Sequence, residues 1–234
     1  SIRKFRSEPI APEVLQDMLE AASRASTCGN MQLYSLIVTQ SRELREALAP
    51  CHFNQPMVTQ APCVITVCAD VHRFSMWCEQ RDAEPCYDNF AWFLNGVTDA
   101  LLAAQNLCVE AEAHGLGICY LGTTIYTAEE IARILDLPKG VIPVTTIVVG
   151  HPDESPELTD RLPLDAVVHC EKYHHYTSSE IDELWAEKET SEETRRLLEE
   201  NGLPNLAQIF TRNRYRAEDN LAISRNYFAL LKKQ

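Results

Sequence analysis

The sequence predicts an α+β fold: a mixed central sheet flanked by helices, followed by a helical C-terminal extension. Three observations carry that expectation. Apolar residues from Phe90 to Ala111 recur three or four apart, as on a long helix with a buried face. Four apolar, β-branched runs are separated by helical segments, which suits a sheet covered by helices. From Ser178 onward the chain is charged and helical in pattern, with few apolar residues of its own.

Pro12 to Ala25 carries Val14, Leu15, Met18, Leu19 and Ala22 on one side and reads as an amphipathic helix. A polar loop, Ser26 to Gln32, leads into a strand over Leu33 to Thr39, and a short helix follows near Arg42 to Leu48. Ala61 to Ala69, with Val64-Ile65-Thr66-Val67, reads as a buried strand, and Asp70 to Asp88 loses all period and reads as an irregular excursion over the surface. The long helix has a face formed by Phe90, Phe93, Leu94, Val97, Leu101, Ala104, Leu107, Cys108 and Ala111, little of which is expected to stay in water. Gly115 and Gly117 are suited to stopping it and to close backbone approach. Ile118 to Leu121 is then a short strand ending in Gly122-Thr123-Thr124. Thr127 and Glu130 have capping-box spacing at the start of a helix ending near Leu135, and Val141 to Val149 is the last convincing strand. Asn201-Gly202 before Pro204 stops a helix in the extension.

The 234 residues suffice for one sizeable core, and no linker divides them, so a single domain over 1–234 is expected, with 177–234 as its extension. A formal net charge of −13 argues against general affinity for nucleic acid or anionic membranes, and makes local arginines necessary for any anionic ligand. No apolar run is long enough to span a membrane, and the first residues carry no secretory pattern. The chain opens without an initiator methionine, so upstream sequence is expected. Nine cysteines, scattered without close pairs, point to reduced thiols in the cytoplasm, with Cys63, Cys68, Cys108 and Cys119 acting as small core hydrophobes. His169, Cys170, His174 and His175 have metal-ligand composition without a zinc-like spacing, and no metal site is assigned.

Dinucleotide, P-loop, nucleophile-elbow and His-Glu-x-x-His signatures are all lacking. The Gly-Thr-Thr edge after Leu121 offers backbone N–H groups to a flat or anionic ligand, although a core helix followed by a turn would look the same. Residues 177–204 hold nine acidic and three basic side chains, and 205–234 hold two and six. In an extended chain Arg212, Arg214 and Arg216 would project to one side, either to grip a phosphate or to pair with the acidic helices before them.

Ser1-Ile2-Arg3-Lys4-Phe5, Ser26-Thr27-Cys28-Gly29-Asn30-Met31-Gln32, Gln55, Gly115 to Gly122, and the run from Leu137-Pro138 through Gly150-His151-Pro152 to Arg161-Leu162-Pro163 occur in one order. In that order they resemble the nitroreductase family of FMN-dependent oxidoreductases, most nearly its NADPH-preferring nitroreductase and flavin reductase branch. The resemblance spans almost the whole chain. It implies a homodimer with two interfacial FMN sites, in which Ser1 and Arg161 hold the phosphate and Arg3 and Gln55 face the pyrimidine edge. Leu121, Gly122 and Thr123 would supply backbone near the reactive nitrogen, and Ser26, Thr27, Cys28 and Asn30 would come from the opposite subunit. By analogy with the branch, Arg212, Arg214 and Arg216 are candidates for the 2′-phosphate of NADPH. The implied reaction takes hydride from NADPH or NADH and passes electrons to a small aromatic acceptor, a nitroaromatic, quinone or free flavin, by a ping-pong route with no side-chain acid or base. Cys28 stands where relatives often carry serine, and Asp160 where a basic residue or proline is common. A specialised flavin dehydrogenase or dehalogenase, and a cysteine-based redox or metal sensor of no catalytic function, are the alternatives.

Overall fold

A computed structural model describes residues 1–233, which pack as two compact units: residues 1–156 with the chain from Ile223 onward, and Glu157–Ala222. In the first, helix α1 (Pro12–Ser23) precedes β1 (Tyr34–Thr39), α2 (Arg42–Leu48), α3 (Met57–Gln60) and β2 (Cys63–Asp70). Helices α4 (His72–Glu79) and α5 (Phe90–Ala113) then lead to β3 (Gly117–Leu121), α6 (Ala128–Ile134) and β4 (Val141–Gly150). In the second lie α7 (Ser178–Thr190), α8 (Glu192–Asn201) and α9 (Leu206–Ile209); α10 (Ala217–Lys233) starts in this unit and ends in the first.

The sheet has the order β1-β2-β4-β3. The α+β class with a flanked sheet is as expected, but every pairing among these four strands is antiparallel rather than mixed. The β1–β2 and β3–β4 connections join antiparallel neighbours, and the β2–β3 connection skips the position that β4 fills, so no parallel pair arises. Strand β2 is buried along all eight residues, and its two-residue alternation feeds two cores. Cys63, Ile65 and Val67 join Ile147 and Val149 against α1 and α5; Val64 joins Val148, Cys119 and Leu121 against Leu48, Val58 and Ile131. Cys63, Cys68, Cys108 and Cys119 are buried, as expected of small hydrophobes, and all nine cysteines are unpaired.

Helix α5 is capped by Asn89, whose side chain accepts from Trp92 N. It reaches the sheet through small residues: a Cβ on Gly96 would lie 3.1 Å from both Ala69 Cβ and the Leu33 carbonyl, and Ala100, Ala103 and Ala104 are fully buried. The expected burial of its apolar face is therefore met only in part. Ala104, Leu107, Cys108 and Ala111 are inside, whereas Phe90, Leu94 and Leu101 stand 43 to 59% exposed, because the flat stripe of small side chains, not the bulky one, packs on the sheet. Gly115 (φ 73°) ends the helix as expected, and Gly117 lets Ile2 lie across β3, where an added Cβ would fall 2.6 Å from Ile2 Cγ1. Among the described residues no helix is long and apolar enough to cross a membrane.

Two local expectations fail. Residues 70–88 are not wholly irregular, since α4 occupies their first half: the Asp70 carboxylate accepts from Arg73 N, and Phe74, Trp77, Tyr87 and Trp92 form a chain of ring contacts at 4.7 to 5.3 Å. Eight residues with so few apolar positions leave no periodic signal. Thr127 and Glu130 do not form a capping box: Thr127 Oγ1 donates to Cys51 O at 2.8 Å, and Glu130 pairs with Arg133. The box that exists is Thr177 with Glu180, opening α7.

Gly150 pairs with Gly117 on β3, and a Cβ there would run into the Pro62 ring, with Phe5 Cδ1 3.1 Å away. Gly150→Ala is expected to lower unfolding free energy by about 1–3 kcal/mol, read as a reduced denaturation midpoint at unchanged slope.

Candidate functional site

Several of the residues singled out in the sequence lie along the outer edge of β3 or in the turn that follows it. Ile2 N donates to Ile118 O at 2.9 Å, Phe5 bridges to Pro152, and the Glu154 carboxylate accepts from the backbone N–H groups of Arg3 and Lys4 at 2.5 and 3.2 Å. The first residues are thus laid along the outer edge of β3. Ser1 and Arg3 are exposed there, and Arg3 forms no ion pair among the described residues. Past β3 the chain enters a 3-10 turn, Gly122–Tyr126, pinned by Thr124 Oγ1, which donates to Leu121 O at 2.9 Å. A Cβ on Gly122 would meet nothing within 4 Å, so the backbone there borders open space.

The segment around residues 51–55 abuts this turn. His52 Nδ1 lies 2.8 Å from Thr123 Oγ1, Cys51 O accepts from Thr127, and the Phe53 and Tyr126 rings are 6.0 Å apart. Phe53 and Asn54 adopt left-handed backbone (φ 55° and 53°), and Gln55 follows, half-buried, with its N–H donating to His52 O. Gln55, Leu121, Gly122 and Thr123 therefore lie around the end of β3, whereas Arg3 lies along the same outer edge toward its start. His52, which sequence reasoning missed, is fully buried, and burial lowers its pKa to about 4, so it is neutral at physiological pH. Its Nε2 has no partner among the described residues.

Ser26 to Asn30 lie elsewhere. This loop feeds β1, the opposite edge of the sheet, so three strand spacings, roughly 14 Å, separate β1 from β3 within one chain. Ser26, Cys28 and Asn30 are exposed. Thr27 is engaged internally: its hydroxyl donates to Asp99 Oδ2 at 2.5 Å and accepts from Gln32 N at 2.9 Å. Asp99 also accepts from Cys28 N and Leu33 N at 2.9 and 3.1 Å. From α4, Arg73 donates to the Gln32 and Tyr34 carbonyls and pairs with Asp70. Neither Asp99 nor Arg73 was singled out in the sequence. Asp99 had a signal: a carboxylate three residues after Gly96 and four before Ala103 sits on the buried face of an otherwise apolar helix.

Arg161 belongs to the second unit, where its Nη1 donates to Thr159 Oγ1 at 2.7 Å and Asp160 O at 2.8 Å. Lys188 Nζ, 2.8 Å from Asp160, holds that carboxyl below its usual range. The tail arginines are not on an extended chain: Phe210–Arg214 form a π-helical turn, so no alternating row exists. Arg214 covers the Phe210 ring at 5.4 Å, and Arg216 pairs with Glu218 and Asp219, which follow it, rather than with the acidic helices before it. Arg212 is exposed and forms no ion pair among the described residues. Around residues 169–176, His169 stacks on Tyr173 at 4.5 Å and its Nδ1 accepts from His174 N, while His174 Nε2 lies 2.9 Å from Glu180.

The thiols of Cys63 and Cys68 are pushed up to about 12 and that of Cys108 to about 11 by burial, which keeps them in the unreactive protonated form.

Residues 1–151 match the model of the nitroreductase family. Over 178 residues, 74% of this chain and 70% of the relative, the sequence is 35% identical to a Staphylococcus aureus (strain USA300) protein named NADPH-dependent oxidoreductase. A Bacteroides fragilis NCTC 9343 crystal structure is 49% identical with a TM-score of 0.98, covering 100% of this chain and 95% of that one. The NADPH:FMN oxidoreductase of Vibrio harveyi, solved with NAD+, is 26% identical with a TM-score of 0.75, covering 97% and 93%. The chain belongs to the nitroreductase family and is an oxidoreductase of that family.

Because the folded pKa of His52 lies below the ordinary 6.5, the stability this group contributes is present above pH 6.5 and is lost as pH falls through that value toward 4. His52→Leu is expected to remove that slope. Across the window the stability gap between wild type and variant should shrink by roughly 3 kcal/mol, measured by denaturation at stepped pH.

Proposed function

We propose that the protein is a homodimeric FMN-dependent enzyme of the cytoplasm that takes hydride from NADPH or NADH and reduces small aromatic acceptors: nitroaromatics, quinones or free flavin. The observation that carries this reading is the division of the site. Arg3, Gln55 and Leu121 to Thr123 sit at one edge of the sheet, and the Ser26 to Asn30 loop leads into the other. A complete site then requires two chains, and the exposed Phe90, Leu94 and Leu101 on α5 offer apolar surface for their association. Further support comes from the names of the Staphylococcus aureus and Vibrio harveyi relatives and from the unpaired state of all nine cysteines.

The residues fit a flavin. Gly122 leaves its backbone bare beside open space, as close approach of a planar ring requires. When bound, FMN supplies the two-electron chemistry. The chain orients it: Arg3, without a competing carboxylate, places positive charge at the pyrimidine edge, and Gln55 hydrogen-bonds the same edge. Ser1 and Arg161 hold the phosphate, a charge-assisted contact that offsets the negative charge of the protein. Leu121, Gly122 and Thr123 present backbone to the ring. From the other subunit come the side chains of Ser26, Cys28 and Asn30 and, because its hydroxyl is engaged, the backbone of Thr27. Donor and acceptor occupy the same ring face in turn, so the kinetics are ping-pong. No proton has to be moved by a side chain, and His52, neutral and buried, holds Thr123 in place. Arg212 and Arg214 are better candidates for the 2′-phosphate of NADPH than Arg216, which is already neutralised by two carboxylates.

After incubation with FMN and gel filtration, flavin absorbance is expected to co-elute with a species of twice the chain mass; protein emerging colourless overturns the reading. A sharper test mixes subunits. Arg3→Ala and Asn30→Ala chains should each bind FMN weakly, but refolded together in equal amounts they should regain about a quarter of wild-type capacity, because half the dimers are mixed and each carries one intact site. Arg214→Ala is expected to narrow the NADPH over NADH preference in kcat/KM about tenfold, and an unchanged ratio would remove Arg214 from the donor site.

A further inference from the structure

We infer that Asp99, a carboxylate 2% exposed on α5, is the positioning residue that holds the Ser26 to Asn30 loop in its flavin-binding shape. The inference rests on the reading above that this loop contacts FMN in the partner's site. The loop is conformationally costly: Gly29, Asn30 and Gln32 have φ of 55°, 57° and 48°, a region that glycine and asparagine tolerate but that the Gln32 side chain disfavours. Something fixed must hold it. Asp99 does so at both ends, taking the Thr27 hydroxyl and Cys28 N–H where the loop begins and Leu33 N–H where it ends.

The anchor itself cannot drift. One turn before Asp99 the helix passes so close to the sheet at Gly96 that an added Cβ would lie 3.1 Å from Ala69 and the Leu33 carbonyl, and one turn after it Ala103 is fully buried. Only an acceptor-only group suits three donors converging on two oxygens. An asparagine would keep the shape, yet in either orientation its NH2 would face at least one of the donors. The side chains of Ser26, Cys28 and Asn30, which point to solvent, owe their placement to this contact beneath them.

Asp99→Asn is tested by two readouts. FMN affinity, from quenching of flavin fluorescence, is expected to fall at least about tenfold. The second needs no flavin: in a background where the other two exposed cysteines, Cys86 and Cys170, are serine, Cys28 is the only exposed thiol, and its reaction with a disulfide reagent should quicken about fivefold as the loop loosens. Leu107→Ala, on the same helix but remote from the loop, controls for lost stability and should leave both readouts within about twofold of wild type. If Asp99→Asn does not fold, Thr27→Val, which removes the donor to Asp99, should move both readouts in the same directions. A change in only one readout, in neither, or equally in Leu107→Ala overturns the inference. Wild-type protein that binds no FMN overturns instead the functional reading on which it rests, and the thiol rates still report whether Asp99 holds the loop.

Discussion

The close approach of α5 to the sheet governs the architecture of the first unit. At Gly96 a methyl group would lie 3.1 Å from both Ala69 and the Leu33 carbonyl, tighter than an ordinary contact. That proximity demands a stripe of glycine and alanine on the inner face, and the same helix consequently turns its larger side chains, Phe90, Leu94 and Leu101, outward. It also carries Asp99 in under the Ser26 to Gln32 loop. Core packing, an apolar outer face and the shape of a polar loop are thus three results of one contact.

The sheet order adds a second constraint. With β2 and β4 in the middle and buried, exposed polar groups are confined to the edges, and the two edges carry different sets: Arg3, Gln55 and the Gly122 turn at β3, the polar loop leading into β1. In a protein with net charge −13, a phosphate-bearing ligand depends on a few arginines free of carboxylate partners. Arg161 meets that condition among the described residues, and Arg216 does not.

Features set by local rules were legible in the sequence. The α5 period, four strands, the Gly115 stop and the buried cysteines needed only spacing and side-chain type. What escaped depended on competition between distant groups. Thr127 and Thr177 have the same spacing to a glutamate, but only Thr177 caps, because the Thr127 hydroxyl is taken by the Cys51 carbonyl, 76 residues away in sequence. Helix α4 is held by one carboxylate and a set of rings, neither of which leaves a period. The roles given to Arg3, Gln55 and Gly122 come from family resemblance rather than from spacing, whereas Asp99 could have been found, since a carboxylate among small apolar residues on one helix face requires a partner.

The first six residues also cover an edge of the sheet. Through Ile2 N to Ile118 O and the Phe5 to Pro152 bridge, they lie beside β3 where the sheet would otherwise present bare peptide groups. An uncovered strand of that kind is a template on which other chains can stack by backbone pairing. The N-terminal segment thus shields an edge that would otherwise invite aggregation by backbone pairing.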